Sequence, residues 1–223
     1  MKKINNFIEK NIETIIKIFI IIQPILDAIT ALSINYLKIN ITIGAIVRML
    51  FLLFLDKTKN KKRNITYLSL LLIYLIIFSI IQLNYKDVIA YKYEIKNTIN
   101  TFYLPIIIIS LLDIFEQYKI KFKIKTILIT YMLYIIFIIF PNITNTSFLS
   151  YSHSKLGNVG WFLSANGVGN ILSILLPVIF IHILKIKQNI LTKILIIISI
   201  IYVFSSMGTK VPILSLGICI IGT

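Results

Sequence analysis

The chain has 223 residues, of which 58% are hydrophobic and 14% are charged, and its formal net charge is +15. Its mean hydropathy is +0.92. A soluble domain of this length needs far more polar surface, so the composition excludes a soluble globular protein and predicts an all-α, polytopic integral membrane protein. The single cysteine, Cys219, lies in an apolar run, so neither a disulfide nor a thiolate metal site is expected. No metal and no cofactor are predicted.

Apolar runs follow one another along the chain, and each predicts a transmembrane helix. Several are shorter than the roughly 20 residues that usually cross a bilayer, so their ends must use flanking Tyr, Asn or Lys. The eight runs cover residues 12–32, 41–55, 66–83, 98–112, 126–140, 167–184, 194–205 and 211–221. Residues 1–223 are therefore predicted to form a single transmembrane domain, with 141–160 as its longest external loop. Because the eighth run meets the end of the chain, we expect the sequence to be the amino-terminal part of a longer protein.

The net positive charge is explained by membrane topology and does not indicate a nucleic-acid partner. If the amino terminus lies inside and every run crosses the bilayer, the inside segments carry 16 of the 23 Lys and Arg residues and the outside segments carry six, while Arg48 lies within a run. This is the positive-inside distribution, which places residues 56–64 inside and 141–160 outside. The abundance of Lys, Ile and Asn is typical of an AT-rich bacterial genome. The predicted location is thus the bacterial cytoplasmic membrane, with lipids and no nucleic acid as partners.

Two ionisable residues lie within the first two runs. Asp27 is about five or six residues from the outer end of the first run, and Arg48 is about seven from the outer start of the second. At about 1.5 Å per residue, both lie roughly 8–10 Å below the outer surface. Matching depth on adjacent antiparallel helices predicts an ion pair. The pair either locks the two helices together, or it leaves Arg48 facing a polar cavity, since charges within a membrane are costly and commonly functional.

The stretch GWFLSANGVGN (160–170) precedes the sixth run and differs from the rest of the chain. It holds the only Trp and three of the eight glycines. Because the sixth run travels inward, a helix start capped by Ser164 or Asn166 faces outward. Gly167 allows another backbone or a ligand to approach closely, and Asn166 and Asn170 share one helix face. Such a helix start can bind an anion.

A second outward-facing helix start is predicted at SSMGTKVP (205–212). Thr209 can cap the helix, Pro212 suits its first turn, and Lys210 adds a cation. Both helix starts, Lys210 and Arg48 could then converge on the outer side. The alternative interpretation is two well-capped helices that pack through small residues, which is common in membranes.

Four phrases of the chain are similar to a known family: QPILDAITALSINYL, TIGAIVRMLFLLF, GWFLSANGVGNILSILLP and GTKVPILSL. Together they resemble the O-antigen ligase and polysaccharide polymerase family, especially its Gram-positive members. Gly160, Phe162 and Asn166 match the family's Gly-Phe-x-x-x-Asn phrase. The pair Thr209-Lys210 stands where the family has Thr/Ser-Arg, so the charge is kept but the bidentate phosphate geometry of arginine is lost.

The resemblance implies a GT-C-like, metal-independent membrane glycosyltransferase. Such an enzyme transfers or polymerises a glycan carried on undecaprenyl diphosphate, at the outer face of the cytoplasmic membrane. It further implies that the substrate-binding residues are Lys210, Thr209, Asn166, Gly167 and Arg48. The family's catalytic histidine and further arginines are expected beyond residue 223, so the catalytic residues are not identified here and these 223 residues alone should be inactive. His153 precedes the matching region and receives no role.

Two other classes of protein compete with the glycosyltransferase interpretation. A flippase or transporter of lipid-linked oligosaccharide also needs cations that face a cavity, but its charges should reach the inner leaflet. A non-catalytic membrane scaffold would need no buried arginine. The polar residues of the runs and their ends cluster outward, which favours the enzyme; they are Asp27, Arg48, Asn166 and Lys210. The sugar, the acceptor, the choice between ligase and polymerase, and the oligomeric state are left open.

The charge distribution yields a direct test of topology. In a Cys219→Ser background, a single cysteine introduced at position 60 should be shielded from a membrane-impermeant thiol reagent in intact cells. One introduced within 141–160 should react, because the lysine asymmetry places that loop outside. Labelling at position 60 from outside would contradict the entire arrangement.

Overall fold

The computed structural model describes residues 2–38, 44, 47–48, 61–83, 105, 107–109, 111–120, 123–151, 157–185 and 189–222. Six helices account for most of these residues: α1 (Lys2–Tyr36), α2 (Lys61–Leu83), α3 (Ile124–Ile143), α4 (Ala165–Lys185), α5 (Ile190–Ser206) and α6 (Lys210–Ile221). Over the described ranges there is no strand, and an isolated antiparallel bridge joins Leu149 to Asn158. The predicted all-α class is confirmed.

The helices have the lengths and compositions of membrane spans. Helices α1, α2, α3 and α4 each contain a segment long and apolar enough to cross a bilayer, and α5 and α6 are shorter apolar helices. The six helices coincide with six of the eight predicted runs. The other two runs, 41–55 and 98–112, lie mostly outside the described residues. A multi-pass membrane protein is therefore confirmed, while the count of about eight spans stays a prediction.

The chain divides into two compact units, one formed by residues 1–45 with 122–223 and the other by residues 46–121. In the first unit, α3 packs against α1, α4 and α5, and α6 packs against α4 and α5. Its buried side chains include Tyr131, Leu172 and Phe204. Lipid tails are as apolar as these side chains, so close packing and hydrogen bonds, rather than removal from water, hold the helices together. A single domain over residues 1–223 stays a prediction.

In the second unit, a buried carboxylate fastens the beginning of α2. The Asp113 side chain is 4% exposed. Arg63 forms an ion pair with it, and the amide nitrogen of Asn64 donates to its Oδ2 at 2.8 Å. Because a buried charge is stable only with such partners, this cluster ties α2 to the helical residues 111–117. Both segments lie at inside ends of the predicted spans, so the contact agrees with the predicted order of crossings.

A proline in α3 determines where the chain returns after the long loop. Pro141 has no N–H, so the carbonyl of Phe137, four residues earlier, loses its helical donor. An unsatisfied carbonyl costs several kcal/mol in a membrane. The backbone N–H of Trp161 donates to that carbonyl at 3.1 Å. The approach requires Gly160, which has φ +67°, and a Cβ there would lie 2.2 Å from the Phe137 oxygen.

The same device joins α4 to α6. Pro177 removes the donor for the Ser173 carbonyl, and the hydroxyl of Ser215 in α6 donates to that oxygen at 3.0 Å. One turn earlier on α4, a Cβ at Gly169 would lie 3.1 Å from Cγ of Pro212 in the first turn of α6. These two contacts show that α4 and α6 begin side by side and run in the same direction.

We expect Gly160→Ala to destabilise the protein severely. A left-handed backbone costs an L-residue about 1–2 kcal/mol, and the methyl group would collide with the Phe137 carbonyl. Thermal unfolding of the purified protein in detergent measures the loss. The control is Gly217→Ala, because nothing lies within 4 Å of a Cβ at that helical position. Equal melting temperatures for the two variants would contradict the proposed role of the turn.

Candidate functional site

Several helix ends meet at one end of the first unit, which we call the loop face. It comprises the last turns of α1, α3 and α5, the first turns of α4 and α6, and the loop residues 144–151 and 157–164. Tyr36, at the end of α1, contacts the ring of Phe148 with centroids 5.9 Å apart. The N–H of Asn158 donates to the carbonyl of Ser206, at the end of α5, at 2.8 Å. These contacts agree with the predicted crossings, although which side of the membrane the loop face occupies stays a prediction.

Residues 147–151 and 157–160 of the loop lie antiparallel to one another, and we call these two segments the hairpin. Its two arms exchange backbone hydrogen bonds between Phe148 and Val159 and between Ser150 and Gly157, at 2.9 Å and 2.8 Å. The hairpin is seated closely on the end of α5, because a Cβ at Gly157 would lie 2.7 Å from the carbonyl oxygen of Met207. The hairpin therefore has a fixed position above the helix ends.

The start of α4 is built by the sequence GWFLSANGVGN. Phe162 is 1% exposed and packs between Tyr134 and Phe137 of α3. Ser164 is the cap, since its hydroxyl accepts from the N–H of Gly167 at 3.1 Å. Of the two caps considered from the sequence, Ser164 has this role. Asn166 instead lies exposed on the first turn.

Asn166 has a partner that the sequence did not indicate. The hydroxyl of Tyr151, on the hairpin, donates to Oδ1 of Asn166 at 2.9 Å. The two residues are 15 positions apart, and only the folding of the hairpin brings them together. Asn170, one turn after Asn166 on the exposed face of α4, lies at the mouth of a groove between α4 and α6.

The start of α6 places Thr209 and Lys210 beside α4. Lys210 is exposed, whereas Thr209 is only 5% exposed. The Thr209 hydroxyl neither caps α6 nor has any other hydrogen-bond partner among the described residues. It would lie 3.2 Å from a Cβ at Gly169, so it faces the second turn of α4. A buried hydroxyl without a partner costs stability, and this one is part of the contact between the two helix starts.

The groove between α4 and α6 begins near these helix starts and runs along both helices. It has a volume of about 400 Å³, and its walls are mostly apolar, with Asn170, Ser173 and Ser215 as polar members. A smaller cavity of about 170 Å³ continues it past Pro177 and Cys219. The shape suits an extended apolar chain more than a compact polar molecule.

The predicted substrate residues are thus only partly assembled in the described structure. Asn166, Gly167, Thr209 and Lys210 all lie at the adjacent starts of α4 and α6. Arg48 belongs to the other compact unit, so its membership of the site stays a prediction. Among the described residues, no group of three His, Cys, Asp or Glu side chains is arranged to hold a metal ion.

Asp27 lies against α3. The hydroxyl of Tyr134 donates to Oδ2 of Asp27 over a long distance of 3.4 Å. Nearby, the N–H of Gly44 donates to the Thr30 hydroxyl at 3.3 Å, so Gly44, a residue of the second run, lies beside α1. The predicted pairing of Asp27 with Arg48 stays a prediction.

These features define a polytopic α-helical membrane protein in which two parallel helices begin side by side, with Asn166, Thr209 and Lys210 at their starts. The chain belongs to the O-antigen ligase like membrane protein family, whose profile matches residues 9–221. The resemblance detected in the four short phrases is confirmed, and membership supports a ligase- or polymerase-like function. Neither a curated protein nor a solved structure shows significant similarity to the chain.

The Asp27–Arg48 pairing can be tested by a double-mutant cycle. Asp27→Asn or Arg48→Gln alone should reduce the yield of folded protein more than the double variant does, because each leaves one charge uncompensated in low dielectric. Folded yield is measured by size-exclusion chromatography in detergent. Tyr134→Phe is the control, since it removes a neighbour of Asp27 without removing a charge. Additive effects of the two charge variants would show that the residues do not meet.

Proposed function

We propose that the protein transfers or polymerises a glycan from an undecaprenyl-diphosphate carrier at the outer face of the bacterial cytoplasmic membrane. The full protein would have a GT-C-like architecture, with about eight spans in the first 223 residues. The observation that carries the proposal is the side-by-side start of α4 and α6, with Lys210 exposed and the Thr209 hydroxyl buried without a partner. Family membership supports the same reaction class.

The two helix starts suit a diphosphate. Each helix begins with N–H groups that lack an intrahelical partner, one of which, that of Gly167, is taken by Ser164, and with about half a positive charge; the two helices are adjacent and parallel. Helix α6 has no side-chain cap, so its N–H groups are not occupied by Thr209. Lys210 adds a full charge at the same place. Together these groups could donate to a diphosphate from more than one direction.

The proposed chemistry uses this positive cluster on the leaving group. An acceptor hydroxyl attacks the anomeric carbon of the carried glycan, a glycosidic bond forms, and the bond from that carbon to the diphosphate oxygen breaks. The hydroxyl proton passes to a base that we expect beyond residue 223. Negative charge grows on the departing undecaprenyl diphosphate, and Lys210 with the two helix starts would stabilise it. Arg48 is proposed to contribute to the same site.

The groove between α4 and α6 supports a lipid-linked rather than a free sugar substrate. Its apolar walls extend from Asn170 past Pro177 in the middle of α4 and past Cys219 near the end of α6. An isoprenoid chain lying there would place its diphosphate at the helix starts. A flippase would need a comparable polar path to the other leaflet, and no observation on the described residues favours one.

In the full-length protein, Lys210→Ala should lower kcat/KM for transfer by about 10²–10³-fold, as loss of one group that stabilises developing charge does. Lys210→Arg should retain activity because it keeps the charge and can bind phosphate oxygens. Thr209→Val should cost up to about tenfold, since it removes one potential hydrogen bond while keeping the side-chain volume. The measurement is transfer of undecaprenyl-diphosphate-linked oligosaccharide in proteoliposomes.

The matched control is Lys185→Ala, which removes an exposed lysine at the far end of α4. Membrane levels of all variants should equal those of the wild type, and none should melt at a lower temperature, since Thr209→Val removes a buried hydroxyl that has no partner among the described residues. Full transfer activity in Lys210→Ala would reduce Lys210 to an interfacial lysine and would leave the two helix starts as a packing contact. Unfolding of Thr209→Val would show that its hydroxyl has a structural role.

A further inference from the structure

A hydrogen bond between the hairpin and α4 holds the amide of Asn166 with its oxygen toward Tyr151. The Tyr151 hydroxyl donates to Oδ1 of Asn166 at 2.9 Å. Asn166 lies in the first turn of α4, directly after the Ser164 cap, and its side chain is exposed. Tyr151 follows Ser150, whose N–H is bonded to Gly157 across the hairpin, so the backbone that carries the tyrosine is held.

An asparagine amide has an acceptor end and a donor end, and rotation by half a turn exchanges them. A tyrosine hydroxyl that donates to the oxygen favours the orientation in which the oxygen faces the hairpin. The NH₂ group is then kept for a partner other than Tyr151. At the start of a helix whose neighbour α6 begins with Lys210, a donor held in one orientation complements an oxygen-rich anion.

We infer that Tyr151 is a positioning residue that holds Asn166 with its amide NH₂ toward the diphosphate oxygens of the carrier. This inference rests on the proposed function, and it adds a hairpin residue to a site that otherwise consists of helix starts. Tyr151 acts through Asn166 and has no contact with the reacting atoms in this assignment. Its loss should therefore weaken binding of the carrier and leave the chemical step intact.

The test uses the full-length protein in proteoliposomes with undecaprenyl-diphosphate-linked oligosaccharide. Tyr151→Phe should raise KM for the carrier about three- to tenfold, the effect of one net hydrogen bond, with kcat within about twofold of wild type. Asn166→Asp keeps an oxygen for Tyr151 but replaces the donor with a negatively charged acceptor. It should therefore raise KM more than Tyr151→Phe does.

The matched control is Tyr36→Phe, because Tyr36 also belongs to the loop face and contacts the hairpin through its ring, which phenylalanine retains. Its KM should equal that of wild type. In an Asn166→Ala background, Tyr151→Phe should add no further change, since it acts only through the amide. An additional loss in that background, or a fall in kcat with KM unchanged, would overturn the inference and indicate a structural role.

A second readout separates this inference from the proposed reaction. Stabilisation of the purified protein against heat by undecaprenyl diphosphate reports binding without transfer. If wild type is stabilised and Tyr151→Phe needs about three- to tenfold more lipid, the inference stands even if no transfer occurs and the proposed reaction fails. If wild type both binds and transfers while Tyr151→Phe or Asn166→Asp behaves identically, the inference fails alone. Absence of any stabilisation of wild type would overturn the inference.

Discussion

The need to satisfy backbone carbonyls in a membrane, where prolines have removed their helical donors, organises the first unit. Pro141 leaves the carbonyl of Phe137 without a helical donor, and the backbone N–H of Trp161 donates to that carbonyl instead. Pro177 likewise leaves the carbonyl of Ser173 without a helical donor, and the Ser215 hydroxyl donates to it. Water cannot supply these donors within a bilayer, so each proline obliges a neighbouring segment to approach. The prolines thereby specify two tertiary contacts.

These two contacts determine the geometry of the candidate site. The first brings the chain back onto α3 just before α4 begins, which seats Phe162 in the core and fixes the direction of the helix start. The second holds α6 beside α4, so that Thr209 and Lys210 lie next to the second turn of α4. The hairpin is hydrogen-bonded to the end of α5, and its Tyr151 is hydrogen-bonded to Asn166. The geometry of the candidate site at the helix starts thus depends on the backbone carbonyls of Phe137 and Ser173, which lie outside the site.

Charged residues within or beside the spans have different surroundings in the two units. Asp113 is buried against Arg63 and Asn64, an arrangement that stabilises a carboxylate and fastens α2. Asp113 could not be singled out from the sequence, because it lies at the end of an apolar run, 50 positions from Arg63. Asp27 was conspicuous because it interrupts a run, and it lies against Tyr134 of a helix that is distant in sequence. A polar residue within an apolar run is visible in the sequence, but the residue that it contacts in the folded protein is not.

The membrane class, the described helices and their starts follow from the sequence alone, because hydropathy, caps and charge bias are local properties of the chain. The four family phrases are also visible in the sequence, two of them in the first two runs and two at the starts of α4 and α6. The folded chain was needed to show that Ser164 rather than Asn166 caps α4, and that Tyr151 bonds to Asn166. The latter contact depends on a hairpin closing over 15 residues. The position of the hairpin depends on glycines that allow close approach and on a carbonyl left without a helical donor in another helix. No local sequence pattern predicts such contacts.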